Sequence, residues 1–186
     1  MSKIVLDITM SIDGFVSGPN VSDSLPLGEN GLRLHDWIFS QKTDADEKIL
    51  NDLVGDTGAV IVGRRTFDTA IENAWEGKSP FDASAIVISN REPNRGIEGF
   101  AFVRTINDAV EKASAAAGEK NIWLMGGANT IQGFIREGLV DEMNLHIAHI
   151  TLGNGTRLFD GDRFAEFKQK SVAESKAVTH LRFKPK

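Results

Sequence analysis

"NIWLMGGANTIQGFI", residues 121–135, changes its period halfway along. Ile122, Trp123, Leu124 and Met125 form a short apolar run that reads as a buried strand, whereas Ile131, Phe134 and Ile135 recur at helical spacing. Gly126 and Gly127 stand between the two segments. Glycine costs backbone entropy, so adjacent glycines imply that something requires the missing side chains.

The same strand–turn–helix grammar occurs elsewhere in the chain. "AVIVGRRTFD" runs from a strand over 59–62 through Gly63, Arg64 and Arg65 to Thr66, which opens a helix with Phe67 and Ile71 on one side and Trp75 as a further candidate. "AIVISNREP" ends a strand over 85–89 with Ser89, Asn90 and Arg91. The quoted stretch leaves its strand at Gly126 and Gly127 and starts its helix with Ala128, Asn129 and Thr130. Ligands of open α/β sheets bind where strands end and helices begin. Helix N-termini offer unpaired N–H groups and partial positive charge, which suits phosphate. Adjacent glycines let backbone approach a pyrophosphate, and Arg and Ser at a strand end bind a further phosphate through charge-assisted hydrogen bonds. One such junction is often only a tight turn, and arginines after a strand are usually solvated. Three junctions, two of them with basic residues, favour phosphate.

Other segments complete the pattern. Ile4–Thr9 reads as a first strand, and 11–31, rich in Gly, Ser, Asn and Pro, as a long loop. A short helical stretch runs through Leu34, Trp37 and Ile38. Thr43 with Asp46 three residues later opens a further helix, and Thr105 with Asp108 opens another, with Ile106, Val110, Ala113 and Ala117 as its apolar stripe. A strand over 100–103, an alternating segment over 140–150 and a closing hairpin over 167–174 and 177–184 complete the chain. The order is β-α-α-β-α-β-β-α-β-α-β-β-β, which predicts parallel pairing through right-handed crossovers and an antiparallel C-terminal edge. No repeat, low-complexity tract or linker interrupts it, so one α/β domain over 1–186 is expected.

Composition narrows the function classes. A net charge of −5 argues against a general nucleic-acid or anionic-membrane binder. There is no cysteine, hence neither disulfide nor thiol chemistry. The N-terminus is too polar for a signal segment and no apolar run spans a bilayer, so a soluble, cytoplasmic protein is expected. Familiar catalytic motifs fail. No G-x-G-x-x-G follows the first strand, and Gly77-Lys78-Ser79 ends like a P-loop but has Glu72 where glycine is needed. His146 and His149, three apart on a strand, face opposite sides and do not share a metal. Asp13-Gly14 reads either as a turn pair or as a carboxylate at the mouth of a crevice, positioned to bind substrate or help supply a proton. Asp36 is a rival carboxylate, and Trp37 either stacks on a flat substrate or belongs to the core.

Taken together, "SIDGFVSG" (11–18), "VIVGRRTFD" (60–68) and "LMGGANTIQGFIREGLVDEMNLHIAHITLGNGTRLF" (124–159) resemble, in this order, elements of the dihydrofolate reductase-like superfamily. The resemblance is strongest to the reductase domain of riboflavin-biosynthesis enzymes (RibD C-terminal-like) and covers nearly the whole chain. It implies a three-layer sandwich with a mostly parallel central sheet and antiparallel C-terminal edge strands. It also implies NADPH as hydride donor, with pyrophosphate at the turns of Thr66 and Gly126–Gly127 and a 2′-phosphate near Arg64, Ser89 and Arg91. Paired glycines joined by a cis peptide, a homodimer and an Asp at the position of Asp13 are further implications. No Asp or Glu occupies 63–67 or 89–91 to take the ribose hydroxyls of NADH, and Glu92 is the acid next to the second stretch. The chain departs from its relatives in the "LGEN" loop (27–30) and in "LRLHDWIF" (32–39), where only Asp36 matches the acid that binds pterin in dihydrofolate reductases. The expected activity is therefore NADPH-dependent reduction of a small heterocyclic or carbonyl-like, pterin- or ribosylaminopyrimidine-like substrate. The alternatives are a nucleotide-binding module without catalysis and a structural dimer that binds nothing.

Overall fold

A computed structural model describes residues 2–22, 24–71, 74–91, 97–159, 161 and 165–186. The strands hydrogen-bond in the order β5 (Phe100–Val103), β4 (Ser84–Ile88), β3 (Thr57–Gly63), β6 (Asn121–Gly126), β1 (Ile4–Ser11), β7 (Glu142–Ala148), β10 (Val178–Pro185) and β9 (Phe167–Glu174), with helices on the sides and a separate two-stranded pair, β2 (Phe15–Ser17) with β8 (Thr156–Arg157). The expected mostly parallel sheet with antiparallel edge strands is the one observed. By contacts the chain divides into two compact units, Met1–Val5 with Asp56–Val140 and Leu6–Gly55 with Asp141–Lys186. The chain changes unit three times, inside or beside regular elements, which is why no linker is visible in the sequence.

The first unit contains β3 (Thr57–Gly63), α3 (Arg64–Ile71), β4 (Ser84–Ile88), β5 (Phe100–Val103), α4 (Ile106–Ala117), β6 (Asn121–Gly126) and α5 (Ala128–Arg136). β3 pairs in parallel with both β4 and β6, and β4 pairs in parallel with β5. Ala59, Val60, Ile61 and Val62 are all fully buried, as a strand covered on both faces requires. Val60, Val62 and Val87 pack with Phe67, Ile71 and Trp75 from α3 and the turn after it. Phe67 meets Phe100 and Phe102 edge-on at 5.0 and 5.1 Å, an arrangement that adds to their area burial. α4 packs against β3 and β4. Thr105 caps it by accepting from the Asp108 N–H at 3.1 Å. Its buried stripe is Ala109, Ala113 and Ala117 rather than one through Val110, because the small side chains face the closest neighbour: a Cβ on Gly58 of β3 would lie 2.5 Å from the Ala117 carbonyl oxygen. α3 ends before Trp75, which is buried in the turn beyond it.

The second unit contains most of β1 (Ile4–Ser11), then β2 (Phe15–Ser17), a 3₁₀ turn (Gly31–His35), α1 (Asp36–Phe39), α2 (Asp44–Asp56), β7 (Glu142–Ala148), β8 (Thr156–Arg157), β9 (Phe167–Glu174) and β10 (Val178–Pro185). β10 runs antiparallel between β7 and β9. The cap of α2 is as expected, with Asp46 accepting from the Thr43 N–H and hydroxyl at 2.8 Å each. The 11–31 segment is not a plain loop. β2 pairs with β8 through Phe15 and Arg157, and the Gly18 and Glu29 N–H groups donate to the Leu27 and Pro19 carbonyls at 2.8 and 2.9 Å.

Candidate functional site

Four parallel strands of the first unit end at one cavity of about 370 Å³. Each contributes residues at or just past its C-terminal end: Gly63, Arg64 and Arg65 from β3, Ser89, Asn90 and Arg91 from β4, Arg104 from β5, and Gly127, Ala128 and Thr130 from β6. No carboxylate lines it among the described residues, and Glu92 lies outside them. The three predicted junctions are therefore brought together. Arg104 is a fourth contribution absent from the sequence reading, although the same strand-end rule applied to "FAFVRT" (100–105) would have found it.

Hydrogen bonds shape the basic rim. Arg64 donates from Nε to Asp68 at 2.7 Å and from one terminal nitrogen to the Ser89 hydroxyl at 3.2 Å and the Arg91 carbonyl at 3.0 Å. The Ser89 hydroxyl donates to the Arg91 carbonyl at 2.7 Å and accepts from the Arg91 N–H at 3.1 Å. Arg64 and Ser89 thus brace the turn that carries Arg91. The side chains of Arg65 and Arg91 stand exposed.

The glycines answer the question raised by residues 121–135. Gly126–Gly127 is a cis peptide, and Gly127 caps α5 with extended backbone. A Cβ on Gly127 would lie 3.0 Å from the Thr66 hydroxyl, and one on Gly63 would lie 2.4 Å from the Thr130 hydroxyl. The group that comes close to the paired glycines within the protein is thus Thr66, at the first turn of α3. The two helix starts interlock, and the missing side chains keep both N-termini open to the cavity.

Asp13 is tied to a distant loop through its carboxylate. Ser11 donates its hydroxyl to the Asp13 carboxylate, and the Leu152 and Gly153 N–H groups donate to it at 3.1 and 2.7 Å. The Ser11 hydrogen bond is the largest influence on this carboxyl and, with the two N–H groups, holds it below the usual carboxylate range. A carboxylate kept ionised and engaged on both oxygens pins the loop at 152–153 to the end of the first strand. The two readings of Trp37 also resolve. Trp37 is 2 % exposed, donates to the Thr9 hydroxyl at 3.1 Å and packs against His146 and His180 at 4.8 and 5.1 Å between ring centroids. It belongs to the core and has no face for a substrate ring. Asp36, half-buried, lies 3.7 Å from Arg33.

The second unit holds a feature that sequence reading missed. Asp7, His146, His180 and Asp46 form a continuous buried hydrogen-bonded chain. His149, the expected neighbour of His146 along the strand, instead meets the Thr179 hydroxyl at 2.9 Å.

A family model described as the RibD C-terminal domain matches residues 2–181. The chain belongs to the RibD C-terminal domain family. It is similar to two Bacillus subtilis proteins described as uncharacterized: YyaP, 30% identical over 167 residues that cover 84% of this chain and 80% of that one, and YwjB, 24% identical over 160 residues that cover 84% and 82%. Among solved structures it is similar to a putative riboflavin biosynthesis protein from Shewanella sp. PV-4, with a TM-score of 0.75 and 22% identity over 99% of both chains. It is also similar to RibD of Acinetobacter baumannii, with a TM-score of 0.69 and 17% identity over all of this chain and 58% of that one. The RibD C-terminal fold is a reductase-type fold related to riboflavin biosynthesis, and among the described residues no helix is long and apolar enough to cross a membrane.

Proposed function

We propose that the protein is an NADPH-dependent reductase whose first unit holds the cofactor's phosphates in the arginine-lined cavity. One observation carries this reading: in a chain of net charge −5, four arginines and no described carboxylate line a single cavity at the ends of parallel strands. The donor set fits a dinucleotide with a third phosphate. The N-termini of α3 and α5 and the bare Gly126–Gly127 backbone suit a pyrophosphate. Arg91 and Ser89, on the turn braced by Arg64, suit the 2′-phosphate that distinguishes NADPH from NADH. Bound nicotinamide would supply the hydride, and the protein's contribution is position and electrostatics.

The family's relation to riboflavin biosynthesis supports a small heterocyclic or carbonyl-like substrate, pterin- or ribosylaminopyrimidine-like. A cytoplasmic homodimer is part of the same proposal. A nucleotide-binding module without catalysis is the second reading, favoured by the engagement of Asp13 in the loop at 152–153.

Dissociation constants for NADPH and NADH, read from tryptophan fluorescence, test the cofactor. Charge-assisted contacts to phosphate contribute roughly 1.5–3 kcal/mol each, so Arg91→Ala is expected to weaken NADPH by about tenfold or more and to leave NADH nearly unchanged. Arg64→Ala is expected to do the same by releasing the turn as well. A wild type that prefers NADH, or variants that keep its NADPH-to-NADH ratio, would overturn the assignment. NADPH oxidation with a panel of pterins and ribosylaminopyrimidinones then separates a reductase from a binding module.

A further inference from the structure

The buried chain of the second unit poses a problem of proton counting that is independent of any cofactor. His146 Nε2 lies 2.9 Å from Asp7 Oδ1, His180 Nε2 lies 2.8 Å from Asp46 Oδ1, and the two Nδ1 atoms lie 2.7 Å apart. With Asp7 and Asp46 as carboxylates, whose oxygens only accept, both Nε2 atoms carry hydrogen. The Nδ1 atoms form a bond only with one hydrogen between them: with none, two lone pairs face each other, and with two, a pair of N–H groups collides. The chain therefore needs three ring hydrogens, whereas two neutral imidazoles carry two. We propose that His146 and His180 together bind one extra proton, shared across their Nδ1 atoms, so that this buried chain is a specific one-proton site carrying a single positive charge between Asp7 and Asp46.

The surroundings fit a fixed acceptor at each end. Asp46 Oδ2 accepts from the Thr43 N–H and hydroxyl at 2.8 Å each and from the Ser175 hydroxyl at 2.7 Å. Burial is the largest influence on Asp46 and raises its carboxyl, but hydrogen bonds from Ser175, Thr43 and His180 together bring it below its ordinary value. Asp7 Oδ2 accepts from the Asn144 amide at 2.9 Å, and Arg182 Nε in turn donates to Asn144 Oδ1 at 3.1 Å. Trp37 covers both rings. His35, in the 3₁₀ turn, is kept below its ordinary value by burial and by charge on His146, so it does not compete for the proton. Burial is also the largest influence on His180 and lowers it. The Asp46 hydrogen bond raises it and charge on His146 lowers it, leaving it below its ordinary value, so an extra proton rests on the Nδ1–Nδ1 contact and not on His180 alone. A cavity of about 160 Å³ is lined by Asp7, His146 and His180, with Asp52 of α2 and Arg182 of β10 as the other charged groups on its wall, so the proton exchanges with solvent.

The test is a titration of the imidazole ¹⁵N–¹H signals of the folded protein from about pH 4 to about pH 10, together with the folding constant over the same range. A plateau around neutral pH with three ring hydrogens on the pair is expected. Above the ordinary histidine value of 6.5, the native state then holds one proton that the unfolded chain has lost, so the folding constant falls about tenfold per pH unit until the plateau ends. Below that value the unfolded chain binds two protons against one, and the folding constant falls again. Asp46→Asn is the decisive variant. The Asn oxygen still accepts from Thr43 and Ser175, while its NH₂ donates to His180 Nε2, which satisfies the chain with two neutral rings. The extra proton and the decline above 6.5 should both vanish. Two neutral rings at neutral pH in the wild type would overturn the proposal, as would Asp46→Asn keeping the wild-type proton count. Should Asp46→Asn fail to fold, the wild-type plateau decides alone.

Discussion

The arginine-lined cavity of the first unit and the histidine chain of the second handle charge in opposite ways. The cavity gathers cations of one sign on the rim of a solvent-accessible space, with Asp68, 2.7 Å from Arg64, set outside its lining. The chain gathers two carboxylates and two imidazoles that satisfy one another in a buried place. Charge of one sign gathered at strand ends points to a ligand that completes it, whereas opposite charges hydrogen-bonded to one another and buried point to the protein's own proton binding and stability.

The largest expected effect breaks the second half of that contrast. Asp46→Ala leaves the His180 Nε2–H, the Thr43 N–H and the Thr43 and Ser175 hydroxyls without their acceptor in a fully buried place. Removing one partner of a buried pair costs about 3–5 kcal/mol, so urea unfolding should show a loss of that order while the protein that remains folded keeps its NADPH affinity. A loss within the range of ordinary surface substitutions would mean the chain does not hold the unit together.

A smaller effect on stability and a larger one on binding are expected from Gly127→Val. The Thr66 hydroxyl must give way to the new Cβ, at an overpacking cost of about 1–3 kcal/mol. The new side chain also stands over backbone assigned to the pyrophosphate, so NADPH titration should show binding lost from a folded protein. Normal binding by this variant would remove the paired glycines from the cofactor site.

The smallest effect belongs to Asp13→Asn. A carboxyl held below its ordinary value contributes stability that is present above the unfolded value of 3.8 and is lost as pH falls through the lower folded value. The melting temperatures of wild type and variant should differ modestly at neutral pH and converge below 3.8. A gap that persists in acid would show that the carboxylate's charge is not what holds the loop at 152–153.

The same contrast explains what was legible in the sequence. The strands around 59–62 and 85–88 announce themselves as unbroken apolar runs because both faces are covered, 122–125 as an apolar run in which alternate residues are buried, and the caps at Thr43 and Thr105 lie within three residues of their partners. Each cavity residue sits next to a strand end, so a local rule finds it. β2 and β8 have three and two residues, too few to carry a period. Asp13 is visible as a turn residue, but its partners Leu152 and Gly153 lie 139 and 140 positions away. His146 and His180 are separated by 34 positions and their carboxylates by more than a hundred, so no spacing in the sequence joins them.

The cap of α2 has a temporal consequence. Its carboxylate, Asp46, accepts from Thr43 close by and from Ser175 and His180 at separations of 129 and 134 residues. During N-to-C synthesis the local half of this cap is available early, while the distant half waits until β10 has emerged. The segments of the first unit, by contrast, are all made once Val140 has been added. Domains fold in the order in which their parts leave the ribosome, so the second unit should be the last to acquire resistance to proteolysis on nascent chains.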